Sequence, residues 1–261
     1  MKHKFLIIGE NCQDVFIYGS AKRLSPEAPV PVFIPNKTIR NDGMAKNVYQ
    51  NILALIENDI IGKDYEVDII TSISSAEKVR YVDEKTNHYF LRVDFKDNQY
   101  DKIEFTELTL DKIKNADTII ISDYNKGFMT EEDILKICQS SRPDSNIFLD
   151  TKKIITTEIL EWIDFVKMNE KEYEANNDAL GILLYEFDKK IIITQGEKGA
   201  YYNDILYETD SLVTMDVSGA GDTFIASLAY QYSVTYGIIN SIKFANKMAS
   251  EVVKKRGVST I

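Results

Sequence analysis

Apolar positions along this chain fall into two kinds of pattern. Short continuous runs recur at Phe5 to Ile8, Val67 to Thr71, Thr118 to Ser122, Ile147 to Asp150, Phe165 to Met168 and Ile191 to Thr194, with amphipathic stretches between them. Such runs predict strands buried on both faces, and their alternation with helical segments predicts a mostly parallel sheet covered by helices on either side. The second pattern has period two: Val30, Val32 and Ile34; Lys78 to Val82; and Tyr89, Leu91, Val93 and Phe95. It predicts half-buried antiparallel strands, set apart by Pro26, Pro29, Pro31 and Pro35 and by a hairpin turn over Asp83 to Asn87. The expectation is a single α/β domain over 1–261. A small β-sheet lid, formed by insertions at about 14–40 and 77–106, lies over one edge of its sheet. Strands that simply extend the main sheet are the alternative.

In a parallel sheet ligands gather at the carboxyl ends of the strands. Asp123, Asp150, Asn169 and Thr194 close the apolar runs and point to a site at one edge, although each alone also reads as a helix cap. Asn41 to Asn47 reads as a polar glycine turn entering a helix that continues through Val48, Ile52, Leu55 and Ile56; such a turn can hold substrate hydroxyls or simply cap the helix. Asn169 and Glu172, three apart on the first turn of a helix, fit either the water shell of Mg²⁺ or a capping box. Thr194 to Gly199 is a strand end with a two-glycine turn, suited to a nearby nucleotide or to a plain β-turn. Helices are expected over Phe224 to Tyr232 and Ile238 to Val253, with Asn246 beside the apolar stripe of the second, facing solvent or an adenine edge. The most pointed stretch is Asp216 to Phe224, a small-residue turn running into an apolar helix. Gly219 and Gly221 let the backbone approach a ligand, the unpartnered N–H groups of the helix start make an anion hole, and Asp222 within it reads as a catalytic base. A plain loop with an acidic first-turn residue is the competing reading.

Composition narrows the classes. With 261 residues, 44% of them hydrophobic and 28% charged, the chain can bury a sizeable core. A net charge of −10 has the wrong sign for a general nucleic-acid or anionic-membrane binder. The two cysteines, Cys12 and Cys138, have no metal-ligand spacing and suit a reducing compartment, so a cytoplasmic protein is expected. No apolar run approaches the length of a membrane span, and Phe5 to Ile8 is too short for a signal peptide.

Asp216 to Phe224 resembles, across all of it, the C-terminal signature of the PfkB (ribokinase-like) carbohydrate kinases. The order of the other pieces is similar too: the glycine turn with Asn47, Asn169-x-x-Glu172, the Thr194 to Gly199 turn, and Asn246. Ser25 to Val32 and Ser122 to Gly127 look more specifically like the kinase domain of the bacterial heptose-7-phosphate kinase/ADP-heptose synthase proteins. The resemblance implies a ribokinase-like three-layer α/β/α fold and an ATP-dependent, Mg²⁺-using sugar or sugar-phosphate kinase. Asp222 would take the acceptor proton, and the N–H groups of Gly219, Ala220 and Gly221 would stabilise the transferring phosphoryl. Asp14, Glu27, Gly43 and Asn47 would face the sugar, Asn169 and Glu172 the metal, and Thr194, Gly196, Gly199 and Asn246 the nucleotide. Some relatives hold a monovalent cation near the position of Asp216, and lids in the family often pair, which implies a homodimer through the β lid. Lys46 departs from the pattern and would favour an anionic acceptor or point to solvent. The segment around Ile61 to Asp64 is short, and the chain stops at Ile261 without the family's final helix or a nucleotidyltransferase domain. A non-catalytic nucleotide- or sugar-phosphate-binding relative is therefore the alternative reading.

Overall fold

The computed structural model describes residues 2–58, 64–74, 76–209, 217–254 and 260–261. In chain order the elements begin with β1 (His3–Gly9), β2 (Asn11–Ser20), β3 (Ile34–Met44), α1 (Ala45–Glu57), β4 (Tyr65–Thr71), β5 (Ala76–Asp83) and β6 (Tyr89–Phe95). There follow α2 (Glu107–Asn115), β7 (Thr118–Asp123), α3 (Glu131–Ser140), β8 (Asn146–Thr151), α4 (Thr157–Trp162), β9 (Phe165–Asn169), α5 (Glu170–Leu180) and α6 (Ile182–Tyr185). The last elements are β10 (Ile191–Thr194), β11 (Gly199–Tyr202), β12 (Ile205–Glu208), α7 (Ala220–Thr235) and α8 (Ile238–Val252).

All six continuous apolar runs are strands of one eight-stranded sheet, in the order β12-β11-β10-β9-β8-β7-β1-β4. They pair in parallel, and only β11 and β12 run antiparallel at the end. The runs are unbroken because successive side chains enter two different cores. On one face Leu6, Ile8, Ile119, Ile121, Ile147 and Leu149 pack with residues of α2 to α6. On the other Phe5, Ile7, Ile120 and Phe148 pack with α1, α7 and α8. This is the three-layer α/β/α arrangement that alternating pleat positions require.

Strand order reverses between β1 and β7. The chain steps outward from β1 to β4 through α1 on one face, then returns past β1 to β7 through α2 on the other. A crevice at the carboxyl ends of β1 and β7 is the binding position such a reversal creates.

The second sheet, ordered β3-β2-β5-β6, rises from that same edge. β2 continues from β1 after Glu10, and β5 continues from β4 after a short bend. Because β1 and β4 are parallel neighbours, their continuations leave side by side in one direction, and β2 and β5 pair in parallel. Each then carries an antiparallel partner, β3 on β2 and β6 on β5. The Asp83 turn is built as expected: its Oδ1 accepts the Lys85 and Thr86 N–H groups at 3.0 and 2.7 Å.

Two sequence expectations change here. Val30 and Val32 are not in a strand; β3 starts at Ile34 and runs to Met44. The Asn41 to Met44 stretch is accordingly a strand end, with Gly43 opposite Cys12 and Asp42 opposite Gln13, rather than a glycine turn. β2 was invisible to a period-two search because residues on both of its faces are buried.

Candidate active site

The glycine turn before α7 meets the crevice at the strand ends. Gly219 holds φ at 84°, the left-handed region that an L side chain adopts at a cost, and so turns the chain directly into the helix. Gly219, Ala220, Gly221 and Asp222 line a cavity of about 740 Å³. The Ala220 N–H closes a turn onto the Val217 carbonyl at 3.2 Å, so the helix start is fixed by its own backbone. Lys167 stands beside it: a Cβ built on Gly221 would lie 3.3 Å from the Lys167 Nζ.

Asp222 is buried in the first turn of α7. Its Oδ2 accepts the Asn47 Nδ2–H at 3.0 Å, and its Oδ1 accepts the Tyr124 hydroxyl at 2.6 Å. Burial pushes its pKa up to about 6 against the opposing pull of those two hydrogen bonds; Asp150 adds to the rise and Lys167 offsets it. Asn47 is tied in turn by Asn51, whose Nδ2 donates to the Asn47 carbonyl at 2.8 Å, while Thr223 Oγ1 donates to Asn51 Oδ1 at 3.2 Å. This buried polar ladder locks α1 to α7 and places the carboxylate.

The strand ends supply charge. Lys167 donates to Asp150 Oδ2 at 2.7 Å. Burial works against its ammonium, but the Asp150 carboxylate more than compensates and the pKa is raised. Asp123 accepts Lys153 through both oxygens at 2.6 and 2.7 Å, and also the Thr151 hydroxyl. Asp123 and Asp150 are thus consumed in ion pairs, and Lys167, the partner of Asp150, brings its paired ammonium to the cavity wall.

Asn169 and Glu172 form the capping box of α5: Asn169 Oδ1 accepts the Glu172 N–H at 2.9 Å, and Glu172 Oε2 accepts the Asn169 N–H at 2.8 Å. Both also line the cavity, and Lys152 reaches Glu172 Oε1 at 3.3 Å. Among the described residues no group of three or more His, Cys, Asp or Glu side chains could hold a metal by itself. An oxygen pair of this kind fits Mg²⁺ only together with water and ligand phosphates. Thr194, Gly196, Gly199 and Asn246 line the same cavity, away from Asp222, beside Val217, Phe224, Ala249 and Val253. Asn246 donates to the Tyr207 carbonyl at 2.7 Å, which joins α8 to the antiparallel edge of the sheet. A glycine-lined anion end and an apolar end with an amide, in a cavity of this size, fit a nucleotide.

The residues expected to face the sugar do not line this cavity: Asn47 meets it only through its hydrogen bond to Asp222, and Asp14 and Gly43 lie in the lid. Asp14 is buried on β2 and pairs with Arg80 at 2.5 Å. Gly43 makes room for it, since a Cβ there would come within 2.2 Å of Asp14 Oδ2. Lys78, two residues before Arg80 on the same face of β5, lies 5.6 Å from the centre of the Tyr124 ring, and Arg92 stands opposite Arg80 in the β5–β6 register. Glu27 is exposed in the segment between β2 and β3, and Lys46 is half-buried in the first turn of α1; neither lines the cavity. Asp216 lies outside the described residues. Sequence reading gave no role to Tyr124 or Lys167. Lys167 left one signal, a lone charge inside the apolar run Phe165 to Met168; Tyr124 followed the strand-end Asp123 but carried no pattern of its own.

The bifunctional protein HldE of Helicobacter pylori (strain HPAG1) is 29% identical over 97% of this chain, and that of Sulfurimonas denitrificans is 29% identical over 99%. The alignments take in 63% and 62% of those relatives, so this chain spans somewhat under two-thirds of their length. In fold the chain is similar to the ribokinase of Thermotoga maritima, with a TM-score of 0.71 and 17% identity over 97% of this chain and 94% of that one. It is also similar to Arabidopsis thaliana ribokinase complexed with ribose and ATP, at a TM-score of 0.69 and 15% identity over 98% and 94%. The phosphofructokinase-2 of Escherichia coli matches at a TM-score of 0.72 and 12% identity over 99% and 94%. Residues 60–261 match the pfkB family carbohydrate kinase profile, so the chain belongs to that family.

Proposed function

We propose that the protein transfers the γ-phosphoryl of ATP to a hydroxyl of a sugar or sugar phosphate, with a heptose-7-phosphate-like acceptor favoured. The observation that carries the reading is the buried Asp222 carboxylate at the start of the helix whose glycine turn lines a nucleotide-sized cavity. The acceptor hydroxyl gives its proton to Asp222, its oxygen bonds to the γ-phosphorus, and the bond from that phosphorus to the β–γ bridging oxygen breaks to release ADP. Gly219 to Gly221 and Lys167 stabilise the phosphoryl charge, chiefly by being in place before the reaction. Thr194, Gly196, Gly199 and Asn246 hold the nucleotide in the cavity they line together. Asn169 and Glu172 would hold Mg²⁺, which would supply positive charge to neutralise the phosphates.

Asp14 and Asn47 serve the acceptor. Lys78, which forms no ion pair among the described residues, suits an anionic one, as do the heptose-kinase-like stretches Ser25 to Val32 and Ser122 to Gly127. The lid's exposed Ile34, Leu91 and Phe95 favour a homodimer through that sheet. An ADP-release assay over a panel of free and phosphorylated hexoses and heptoses tests the reading: turnover with at least one member is expected. Binding of ADP without turnover on any member would instead support a non-catalytic relative.

A further inference from the structure

Asp222 reaches the cavity with one hydrogen bond on each carboxylate oxygen, from Asn47 at 3.0 Å and from Tyr124 at 2.6 Å. A base that removes a proton from an incoming hydroxyl must offer it a lone pair at about 2.6–3.2 Å. The Asn47 side is closed to any acceptor proton, because that amide is buried in the α1–α7 interface and its oxygen is itself 3.2 Å from Asn51 Nδ2. The Tyr124 side faces the cavity. We infer that the Tyr124 phenol occupies the place of the acceptor hydroxyl, closes the base in the acceptor-free enzyme, and is displaced only by an acceptor. The inference rests on the kinase reading above.

The surroundings of Tyr124 are those of a built gate. Glu10, wholly buried at the end of β1, accepts the Tyr124 N–H on Oε2 at 2.8 Å and the Lys126 N–H on Oε1 at 2.9 Å. The backbone is therefore pinned at the strand-order reversal, and the movement left is rotation of the side chain. The ring is held from two sides, by Lys78 of the lid at 5.6 Å and by Lys152 of the segment after β8 at 5.0 Å from its centre. The hydroxyl thus stays on Oδ1 until something replaces it.

What the gate prevents is hydrolysis. Without an acceptor, water is the competing nucleophile: its oxygen would bond to the γ-phosphorus, its proton would pass to Asp222 Oδ1, and the bond to the bridging oxygen would break to leave ADP and phosphate. With the phenol on Oδ1 the water must compete with a 2.6 Å hydrogen bond for the side of the base that meets the cavity.

The test needs no acceptor. Phosphate release from MgATP alone is measured at pH 8, where the carboxyl is ionised with or without the phenol. The groups facing it are Tyr124 just after β7, Asn47 from α1, Asp150 from β8, Lys167 from β9 and Cys12 from β2. Tyr124→Phe is expected to release phosphate at least fivefold faster than wild type, and Tyr124→Leu to change in the same direction. Adding Asp222→Asn to Tyr124→Phe should abolish the gain, and ADP affinity by calorimetry should be unchanged in the single variants. The acidic limb of the hydrolysis rate should also move to higher pH in Tyr124→Phe, because a hydrogen bond that favours the ionised carboxyl is gone. Variants that bind ADP normally but release phosphate no faster than wild type would overturn the gate, as would loss of ADP binding in both. Failure of the kinase reading looks different: wild type then turns over no member of the sugar panel.

Discussion

Asp222 meets two opposed demands. A base must be ionised near neutral pH, yet burial favours the protonated form and lifts its pKa to about 6. Activity is therefore expected to rise with pH through about 6 and level off above it, as a pH profile of kcat/KM on any accepted sugar would report. Asp222→Asn should lower kcat by about 10²–10⁴-fold while ADP binding persists. The same residue carries a stability signature. Its folded pKa lies above the unfolded value near 3.9, so its contribution to stability is fully present below about pH 4 and is lost as pH rises through about 6. The asparagine variant escapes that loss and should melt above wild type at pH 8, by on the order of 2 kcal/mol, with the gap narrowing toward pH 5. The place of Asp222, in the first turn of a helix entered through glycines, was readable from its sequence context. Tyr124 and Lys167 were not, because they come from other strands and reach the carboxylate only through the sheet's strand order.

Helix starts decide the rest of the chemistry. Gly219 and Gly221 are one residue apart but should respond to alanine with opposite signs. Gly219→Ala places a side chain at φ 84° and should cost about 1–2 kcal/mol in melting experiments. Gly221→Ala sits within α7 and should gain up to about 1 kcal/mol, while its methyl, set against Lys167, raises the KM for ATP. At the start of α5 the capping box and the proposed metal role fall on the same two residues. Glu172→Gln preserves the cap, so thermal stability should stay within about 0.5 kcal/mol, and the Mg²⁺ concentration for half-maximal activity should rise several-fold. An unchanged Mg²⁺ requirement would leave only the cap. Spacing could not separate these two readings because both require the same pair of residues at the same interval. The Asn41 to Met44 stretch misled for a different reason: polar residues at the end of an edge strand look like a turn until a partner strand is known.

At the scale of the whole molecule, the layers were legible and the lid only partly so. Unbroken apolar runs identified every parallel strand of the eight-stranded sheet, since a strand buried twice must be apolar throughout. The lid's parallel β2–β5 seam follows from where β1 and β4 end, which no local pattern records. A lid that pairs with a second lid predicts a dimer in sedimentation experiments, with Leu91→Asp and Phe95→Asp shifting it to monomer. The order in which these parts leave the ribosome adds something to the picture. The lid, Asn47 and Tyr124 are all made long before the Gly219 turn, so Asp222 arrives after both of its hydrogen-bond partners and docks between them. Until it does, Phe5, Ile52 and Phe148 have no α7 to cover them, and a nascent chain that stalls before Gly219 presents that apolar face to chaperones.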